Sequence, residues 1–439
     1  MIDRPIDQSS KLKRTGLTLR PTGPENARMT ETHLDLRLAR EGGARARTRP
    51  EHPMFPGGME IGAEELEAAT RVITSKNLFR YYGVDEGQPQ EVTAFEREFA
   101  EHMGASHVLC VNAGSAALIC GLIGAGVGPG DEVIIPAYTW NATANAVLAA
   151  GALPVLAEVD DSLTLDPEDV VRKLTPRTRA LLPVHMRGAP ADMDALCSIA
   201  KEHDLVVIED VCQAAGASFR GRRLGTFGDA GAFSLQFNKI ITTGEGGAMI
   251  TDRQDLYDLA IDVHDCAGSV RRGAGLPQFA GWNFRASELQ GAIARVQLAR
   301  LDGLLARMRE NHAELSERVA ALPGLTLRRP TDDGGDAGVC LIAYAPTAAQ
   351  AADAVDALTA EGVTAQQIYD PARIDLHVYP FWKPVLDAIA AADRPAPDCP
   401  RTLDLLSRTI HVDVSPLCDE RDVEEISHAF KKVARAVIA

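Results

Sequence analysis

The chain has 439 residues and a formal net charge of −16, and 46% of its residues are hydrophobic. This length can bury one large core and a second domain, and the acidic balance argues against nucleic acid as the main partner, because phosphate backbones bind to basic surfaces. Eight cysteines, none in a C-x-x-C pair, predict the reduced thiols of a cytoplasmic protein. A membrane partner is not expected, since no apolar run reaches the length of a membrane span and no signal peptide is recognisable.

Residues 1–52 differ from the rest of the chain. They are polar and Arg-rich and are interrupted by Pro21, Gly23 and Pro24. This composition predicts a mobile N-terminal extension with at most one short helix, residues 30–40. Met29 offers an alternative start of translation within it.

Between residues 53 and 300, strand-like apolar runs alternate with helical patterns. The predicted strands are 108–111, 132–137, 153–159, 180–185, 205–209, 230–235 and 248–251. Predicted helices between them include 115–123, 142–150 and 193–203. This alternation predicts a large α/β domain with a mainly parallel, seven-stranded sheet, and functional residues are expected at the carboxyl ends of its strands.

The remaining residues, 301–439, predict a smaller α+β domain. A long helix over 287–322, with a break near Asp302, leads into a strand over 339–345 and helices over 348–361 and 420–437. Residues 363–402 are Pro-rich and predict an irregular, substrate-facing loop.

Lys239 lies between a buried strand-like run and a glycine turn, 244–247, that leads into another apolar strand. Lysine is almost never buried without a partner or a task, and one such task is to form an imine with an aldehyde cofactor through a desolvated amine. The alternative is a lysine that extends from a strand end to solvent. The segment by itself leaves both interpretations open.

Asp210 ends the apolar run 206–208 together with Glu209. An aspartate that pairs with a pyridine nitrogen, combined with an imine-forming lysine, is typical of pyridoxal phosphate chemistry. The charge pair keeps the ring protonated, so that it can take electrons from the substrate carbon. A helix N-cap or a Mg²⁺ ligand is the alternative role for this carboxylate.

A cofactor phosphate requires an anion site, and the turn 112–117 follows a strand and opens a helix. Backbone N–H groups at a helix start, the close approach that Gly114 permits and the Ser115 hydroxyl suit an anion. Ser234, at the end of another strand, supplies a second hydroxyl. Serine is also common as an N-cap, so this signal is weak by itself.

Trp140 follows another strand, and its ring suits stacking on a flat cofactor as well as it suits packing between sheet and helix. Two other patterns do not indicate a binding site. The glycine-rich run 124–130 lacks dinucleotide-binding spacing and precedes a strand. No zinc or other metal site is expected, because four histidines lack metal-ligand spacing: His185, His203, His264 and His377.

From about residue 55 to the C-terminus, the sequence resembles the DegT/DnrJ/StrS family of pyridoxal phosphate-dependent sugar and aminocyclitol aminotransferases. The motifs that carry the resemblance are 114–117, 130–136, 138–140, 183–188, 209–214, 233–239, 244–247, 281–285 and 288–290. The resemblance implies a fold-type I enzyme, pyridoxal 5'-phosphate as cofactor, and a homodimer with shared active sites.

The resemblance also implies a role for each matching residue. Lys239 would hold the cofactor covalently and shuttle protons, Asp210 would pair with the pyridine nitrogen, and Gln213 would lie near the ring hydroxyl. Trp140 would stack on the ring. The phosphate would contact Gly114, Ser115, Ala116, Ser234 and, from the neighbouring subunit, Asn283. The residues expected at the substrate are Tyr138, His185, Arg373 and His377.

Lys239 favours amino transfer, because dehydratase members of the family carry histidine at this position. Glutamate or glutamine is the expected donor, and a keto sugar or keto cyclitol the expected acceptor. Residues 366–369 replace the Arg-x-His-Tyr run of many nucleotide-sugar enzymes, and 373–382 is unusual, so an acceptor without a nucleotide is predicted. The alternatives are a dehydratase or other imine chemistry, and a non-catalytic regulatory protein of the same fold.

Overall fold

The computed structural model describes residues 36–81, 87–88 and 90–438. Most of the predicted extension, and part of the helix predicted over 30–40, lies outside these residues. The described part of the extension contains one short 3-10 helix, Ala39–Glu41. None of the helices in these ranges is long and apolar enough to cross a membrane.

Residues 36–52 are attached to the C-terminal part of the chain by buried ion pairs. Arg47 pairs with Asp422 at 2.8 Å, and both side chains are almost fully buried. Glu361 accepts the backbone N–H groups of residues 39 and 46 at 2.7 and 2.8 Å, and it also pairs with the buried Lys432 at 2.6 Å. Removing one partner of such a buried pair leaves an uncompensated charge, which strongly disfavours detachment of this segment.

The predicted mainly parallel sheet of seven strands is confirmed. Its strands, in the spatial order β1-β9-β8-β5-β4-β2-β3, are β1 (His107–Val111), β2 (Glu132–Pro136), β3 (Leu153–Ala157), β4 (Thr178–Leu181), β5 (Val206–Asp210), β8 (Ala230–Ser234) and β9 (Gly247–Thr251). Only β9 runs antiparallel to its neighbours, β1 and β8. A small hairpin, β6 (Ser218–Phe219) with β7 (Arg222–Arg223), lies between β5 and β8 in sequence.

Helices lie on both faces of the sheet, which explains why its strands are apolar throughout. On β5, Ile208 belongs to one buried cluster and its neighbour Val207 to another, as alternating side chains on a strand require. The helices of this part of the chain are α1 (Pro56–Met59), α2 (Ala63–Ser75), α3 (Glu91–Met103), α4 (Gly114–Gly124), α5 (Ala142–Ala149), α6 (Pro167–Lys173), α7 (Met193–Glu202), α8 (Gln254–His264) and α9 (Gly268–Arg271).

Helix α10 (Glu288–Ala320) begins with a capping box. The Gln290 N–H donates to Ser287 Oγ at 3.3 Å, and the Ser287 N–H donates to Gln290 Oε1 at 2.9 Å. The helix continues through Asp302, so the predicted break is wrong. Good helix formers around this position, and burial of Leu301, Leu304 and Leu305, sustain the helix there.

The C-terminal part contains an antiparallel sheet of three strands with helices. Its elements are β10 (Thr326–Leu327), β11 (Cys340–Tyr344), α11 (Ala348–Ala360), α12 (Lys383–Ala391), α13 (Pro400–Ser407), β12 (Thr409–Asp413) and α14 (Glu420–Val433). Helix α12 and the start of α13 lie within the segment predicted to be irregular. Pro384 and Pro400 occupy the first turns of these helices, where a missing N–H costs no hydrogen bond. The domain boundaries near residues 52 and 300 remain predictions.

Candidate active site

A cavity of about 750 Å³ lies at the carboxyl ends of the central strands, a volume within the range of small-molecule sites. Most of the predicted cofactor residues line it. They are Gly114, Ser115, Trp140, Asp210, Gln213, Ser234 and Lys239, and they are joined by one predicted substrate residue, His377. The topology brings them together, because parallel strands end at the same edge of a sheet.

Asp210 is the last residue of β5 and is 5% exposed. Its Oδ2 accepts the Thr143 hydroxyl at 2.8 Å, and its Oδ1 accepts the Cys212 N–H at 3.1 Å. The Thr143 Oγ1 lies 2.8 Å from the hydroxyl of Thr139, so Thr139 donates to Thr143 when Thr143 donates to Asp210. This chain of hydrogen bonds holds the carboxylate in one orientation at the cavity wall.

Lys239 lies in the turn that follows β8. Its backbone N–H donates to the Gln236 carbonyl at 2.9 Å, and its own carbonyl accepts the Gly57 N–H at 3.2 Å. A Cβ on Gly57 would lie 2.8 Å from the Ile241 Cα, so glycine is required for this approach. The turn is therefore anchored on both sides, which fixes where the lysine side chain enters the cavity.

The start of α4 offers unpaired backbone donors to an anion. Ala113, the N-cap, makes no side-chain capping bond, and the first intrahelical bond is donated by the Ala117 N–H. The N–H groups of residues 114–116 thus have no intrahelical acceptor. A Cβ on Gly114 would lie 2.8 Å from the Ser234 Cβ and 2.9 Å from the Cys212 Sγ, so glycine alone lets the helix start approach Ser234.

Trp140 presents a 43% exposed ring at the cavity mouth, and its ring centroid lies 4.9 Å from that of His377 at an interplanar angle of 57°. The His377 Nδ1 lies 2.7 Å from Asp375 Oδ1. Because Asp375 accepts the Nδ1–H, Nε2 is left as an acceptor in the neutral ring. Burial lowers the pKa of His377, and nearby Arg187 and Lys239 lower it further against the effect of Asp375. The lowered pKa favours the neutral ring.

Four other predicted side chains do not line the cavity. Tyr138 is fully buried in the core. The Ala116 side chain is buried too, so only the backbone N–H of Ala116 is left for an anion. Arg373 is exposed and donates to the carbonyl of residue 367. Asn283 is exposed, and its carbonyl accepts from the Asn112 Nδ2 at 3.3 Å.

His185 is also away from the cavity, contrary to its predicted contact with substrate. Its Nδ1 accepts the Ala191 N–H at 3.1 Å, so its Nε2 donates to Glu209 Oε2 at 3.1 Å. Glu209 in turn accepts three backbone N–H groups from residues 225, 227 and 228. Both ring nitrogens are thus occupied, and the histidine ties β4 to the loop before β8.

Sequence reasoning missed four side chains that the fold places at the cavity. They are Thr139, Thr143, Arg187 and Asp413. Thr143 lies in the first turn of α5, whereas Thr139 lies in the bend before that helix, so no helical spacing in the sequence signalled this pair. Arg187 lies within the quoted motif 183–188, where a charged residue after a buried strand was itself a signal.

The fold matches that of a known enzyme class. The crystal structure of 3-amino-5-hydroxybenzoic acid (AHBA) synthase superposes with a TM-score of 0.75 at 32% sequence identity, covering 89% of this chain and 100% of that one. Together with the mainly parallel sheet of seven strands, this match places the chain among the fold-type I pyridoxal phosphate-dependent transferases.

Sequence comparison narrows the class to one family. The profile of the DegT/DnrJ/EryC1/StrS aminotransferase family matches residues 60–431, and the chain belongs to that family. The L-glutamine:2-deoxy-scyllo-inosose aminotransferase of Micromonospora echinospora is 36% identical over 90% of this chain and 97% of its own length. The spore coat polysaccharide biosynthesis protein SpsC of Bacillus subtilis (strain 168) is 30% identical over 85% of this chain and 95% of its own length. The chain is thus a pyridoxal phosphate-dependent aminotransferase.

Proposed function

We propose that this aminotransferase moves an amino group from glutamate or glutamine to a keto cyclitol or keto sugar that carries no nucleotide, in the biosynthesis of an aminocyclitol or amino sugar, as for an antibiotic. The observation that carries the proposal is the placement of Lys239 and Asp210 at one cavity beside the free start of α4. Support for the acceptor class comes from the relative named as an L-glutamine:2-deoxy-scyllo-inosose aminotransferase.

The cavity residues suit pyridoxal phosphate. Three free N–H groups at the start of α4, with the Ser115 and Ser234 hydroxyls, would bind its phosphate. The Asp210 carboxylate would hold a proton on the ring nitrogen, and Trp140 would cover one face of the ring and exclude water there. When bound, the cofactor supplies an aldehyde for the donor's amine and a ring that withdraws electrons from the substrate carbon.

The Lys239 amine would then have two tasks. It would hold the cofactor in place between turnovers, and its Nζ would carry the proton between the substrate carbon and the cofactor's aldehyde carbon. The anchored turn around Lys239 keeps the amine on one side of the cavity, so the proton is delivered to one face of the substrate. Gln213 would hydrogen-bond near the ring hydroxyl.

The experiment that tests this function follows the absorbance spectrum of the protein loaded with pyridoxal phosphate. L-glutamine or L-glutamate is expected to convert the cofactor from its aldehyde to its amine form, and 2-deoxy-scyllo-inosose to restore the aldehyde form. A nucleotide-linked keto sugar is expected to restore it much more slowly. Failure of every amino acid to convert the cofactor would exclude amino transfer, and a preference for the nucleotide-linked sugar would exclude the proposed acceptor class.

His377 is expected to act on the acceptor. Its Nε2 is an acceptor that Asp375 holds in orientation, so it suits a hydroxyl of a sugar or cyclitol. His377→Ala should slow restoration of the aldehyde form by the acceptor roughly tenfold to a hundredfold, the loss of one or two oriented hydrogen bonds. Conversion by the donor and cofactor binding should change little.

The matched control for this variant is His203→Ala, because His203 is exposed at the end of α7. Equal damage to both half-reactions in His377→Ala would show that the residue does not serve the acceptor alone. Arg373, the other predicted residue of this loop, does not line the cavity of its own chain. We therefore expect a smaller effect from Arg373→Ala.

A homodimer with shared sites is the proposed assembly. Helix α9 and the segment that follows it carry exposed apolar side chains: Val270 (55%), Leu276 (86%) and Trp282 (41%). Phe237, two residues before Lys239, is 40% exposed. Exposed apolar surface next to an active site suits contact with a second copy, and the free thiols fit a cytoplasmic location.

Asn283 is expected to reach the cofactor phosphate of the partner subunit. It is exposed, and it does not line the cavity of its own chain. Mixing inactive Lys239→Ala with inactive Asn283→Ala subunits should restore activity, up to one intact site per hybrid dimer. Absence of recovery after verified subunit exchange would indicate that each site is built from a single chain.

A further inference from the structure

Arg187 is held in an unusual position at the cavity wall. It lies in the turn Met186–Gly188 after β4, and its φ of 52° and ψ of 41° are in the left-handed region. Non-glycine residues adopt this conformation at a cost, and such strain concentrates at functional sites. The Arg187 N–H donates to Gln213 Oε1 at 3.2 Å, which ties the turn to a residue proposed to lie beside the cofactor ring.

The charge of Arg187 has no counter-ion among the described residues. Its Nε is fully enclosed and has no hydrogen-bond partner. The buried Tyr138 hydroxyl lies beside the guanidinium, but as a neutral group it supplies no counter-charge. Asp413 is the neighbouring carboxylate. Burial raises its pKa, but His411 and Arg187 outweigh burial and lower the pKa overall. No ion pair forms between Asp413 and Arg187, so a partly buried guanidinium at the cavity wall lacks a counter-ion, which is costly.

We infer that Arg187 binds the α-carboxylate of the amino donor. This inference rests on the proposed function and identifies the residue that would select an α-amino acid as donor. A guanidinium binds a carboxylate through two parallel N–H···O hydrogen bonds, which fix the orientation of the acid as well as its position. A donor held in this way would have its amine directed toward the cofactor.

The composition of the cavity wall supports this choice of ligand. Its charged residues are Arg187, Asp210, Lys239, Glu245 and Asp413. Because Lys239 would hold the cofactor, Arg187 is the remaining permanently charged cation that the described residues place at the cavity wall. The cofactor phosphate has its own donors at the start of α4, which leaves Arg187 for a second anion. A keto cyclitol carries no such anion, whereas every α-amino acid does.

The test compares the wild-type holoenzyme with Arg187→Gln and Arg187→Lys. The matched control is Arg179→Gln, because Arg179 is exposed on β4 and lies outside the cavity. The first measurement is binding of maleate, a dicarboxylate without an amine, by calorimetry. The second is the rate of donor conversion against L-glutamine concentration. Arg187→Gln should weaken maleate binding and raise the donor KM, each by about a hundredfold, with little change in the limiting rate.

Three further results separate this role from a structural one. Arg187→Lys should recover part of both losses, and Arg179→Gln should match the wild type. The α-amide of L-glutamine, which lacks the carboxylate, should react poorly and equally with the wild type and Arg187→Gln. In Arg187→Gln, conversion of the cofactor by an aminocyclitol, the reverse of the acceptor half-reaction, should fall much less than conversion by L-glutamine, since the aminocyclitol carries no carboxylate.

Several outcomes would overturn the inference. Wild-type affinity for maleate in Arg187→Gln would overturn it. If Arg187→Gln does not fold, wild-type affinity in Arg187→Lys would overturn it. Loss of binding to a nucleoside diphosphate, with maleate binding kept, would assign Arg187 to an acceptor phosphate instead. If the wild type converts no amino acid, the proposed function fails, but maleate binding still decides whether Arg187 is a carboxylate site.

Discussion

Lys239→Ala is expected to abolish covalent attachment of the cofactor and to lower turnover roughly a thousandfold or more. Proton transfer by a positioned side chain contributes about 10²–10⁴-fold by itself, and loss of the covalent link removes a further advantage. The variant should still bind pyridoxal phosphate, because the phosphate donors at the start of α4 and the Asp210 carboxylate do not depend on the lysine. Borohydride reduction and peptide mapping of the wild type should place the cofactor on Lys239.

Lys239→Arg is the companion variant, since it keeps a positive charge but cannot form the imine under ordinary conditions. Both variants should show the free cofactor spectrum rather than that of lysine-bound cofactor. Cofactor found on another lysine after reduction, or turnover by Lys239→Ala near that of the wild type, would refute the assignment. The exposed lysine of α7, Lys201, serves as the control position.

Asp210→Asn is expected to bind the cofactor and to turn over about a hundredfold more slowly, equivalent to about 3 kcal/mol of transition-state stabilisation. The amide has nearly the same shape, but it cannot hold a proton on the ring nitrogen through a charge pair, so the ring withdraws electrons less well. Both half-reactions should slow by similar factors, because both pass through the same electron-withdrawing ring. This common loss distinguishes Asp210 from His377, whose removal affects the acceptor half-reaction.

Thr143→Val is the matched variant for this prediction. Thr143 donates to Asp210 Oδ2 at 2.8 Å, and valine has nearly the same shape without the hydroxyl. A smaller loss than in Asp210→Asn is expected, since the carboxylate keeps its charge and its bond from the Cys212 N–H. Near wild-type turnover in Asp210→Asn would contradict the proposed pairing of the carboxylate with the ring.

The sequence by itself determined the seven strands of the large sheet, the position of Asp210 at a strand end and that of Lys239 in the turn after another strand. These features are local: a strand buried on both faces is apolar throughout, and a charged residue that ends such a run stands out. Gly114 was equally visible, because a glycine between a strand and a helix marks a close approach of backbone. Parallel strands then place their carboxyl ends together, so the site's location followed from the pattern.

The tertiary structure alone decided which polar side chains face the cavity. His185 and His377 both have aromatic or charged neighbours in sequence. In the fold, Glu209 and Ala191 occupy both ring nitrogens of His185. His377 instead contacts Trp140, which lies 237 positions earlier in the chain (377 − 140). Arg187 shows the same limit: its lack of a counter-ion depends on where Tyr138 and Asp413 lie in space. Local patterns report burial and periodicity, whereas the pairing of distant polar groups is set by packing that no local pattern contains.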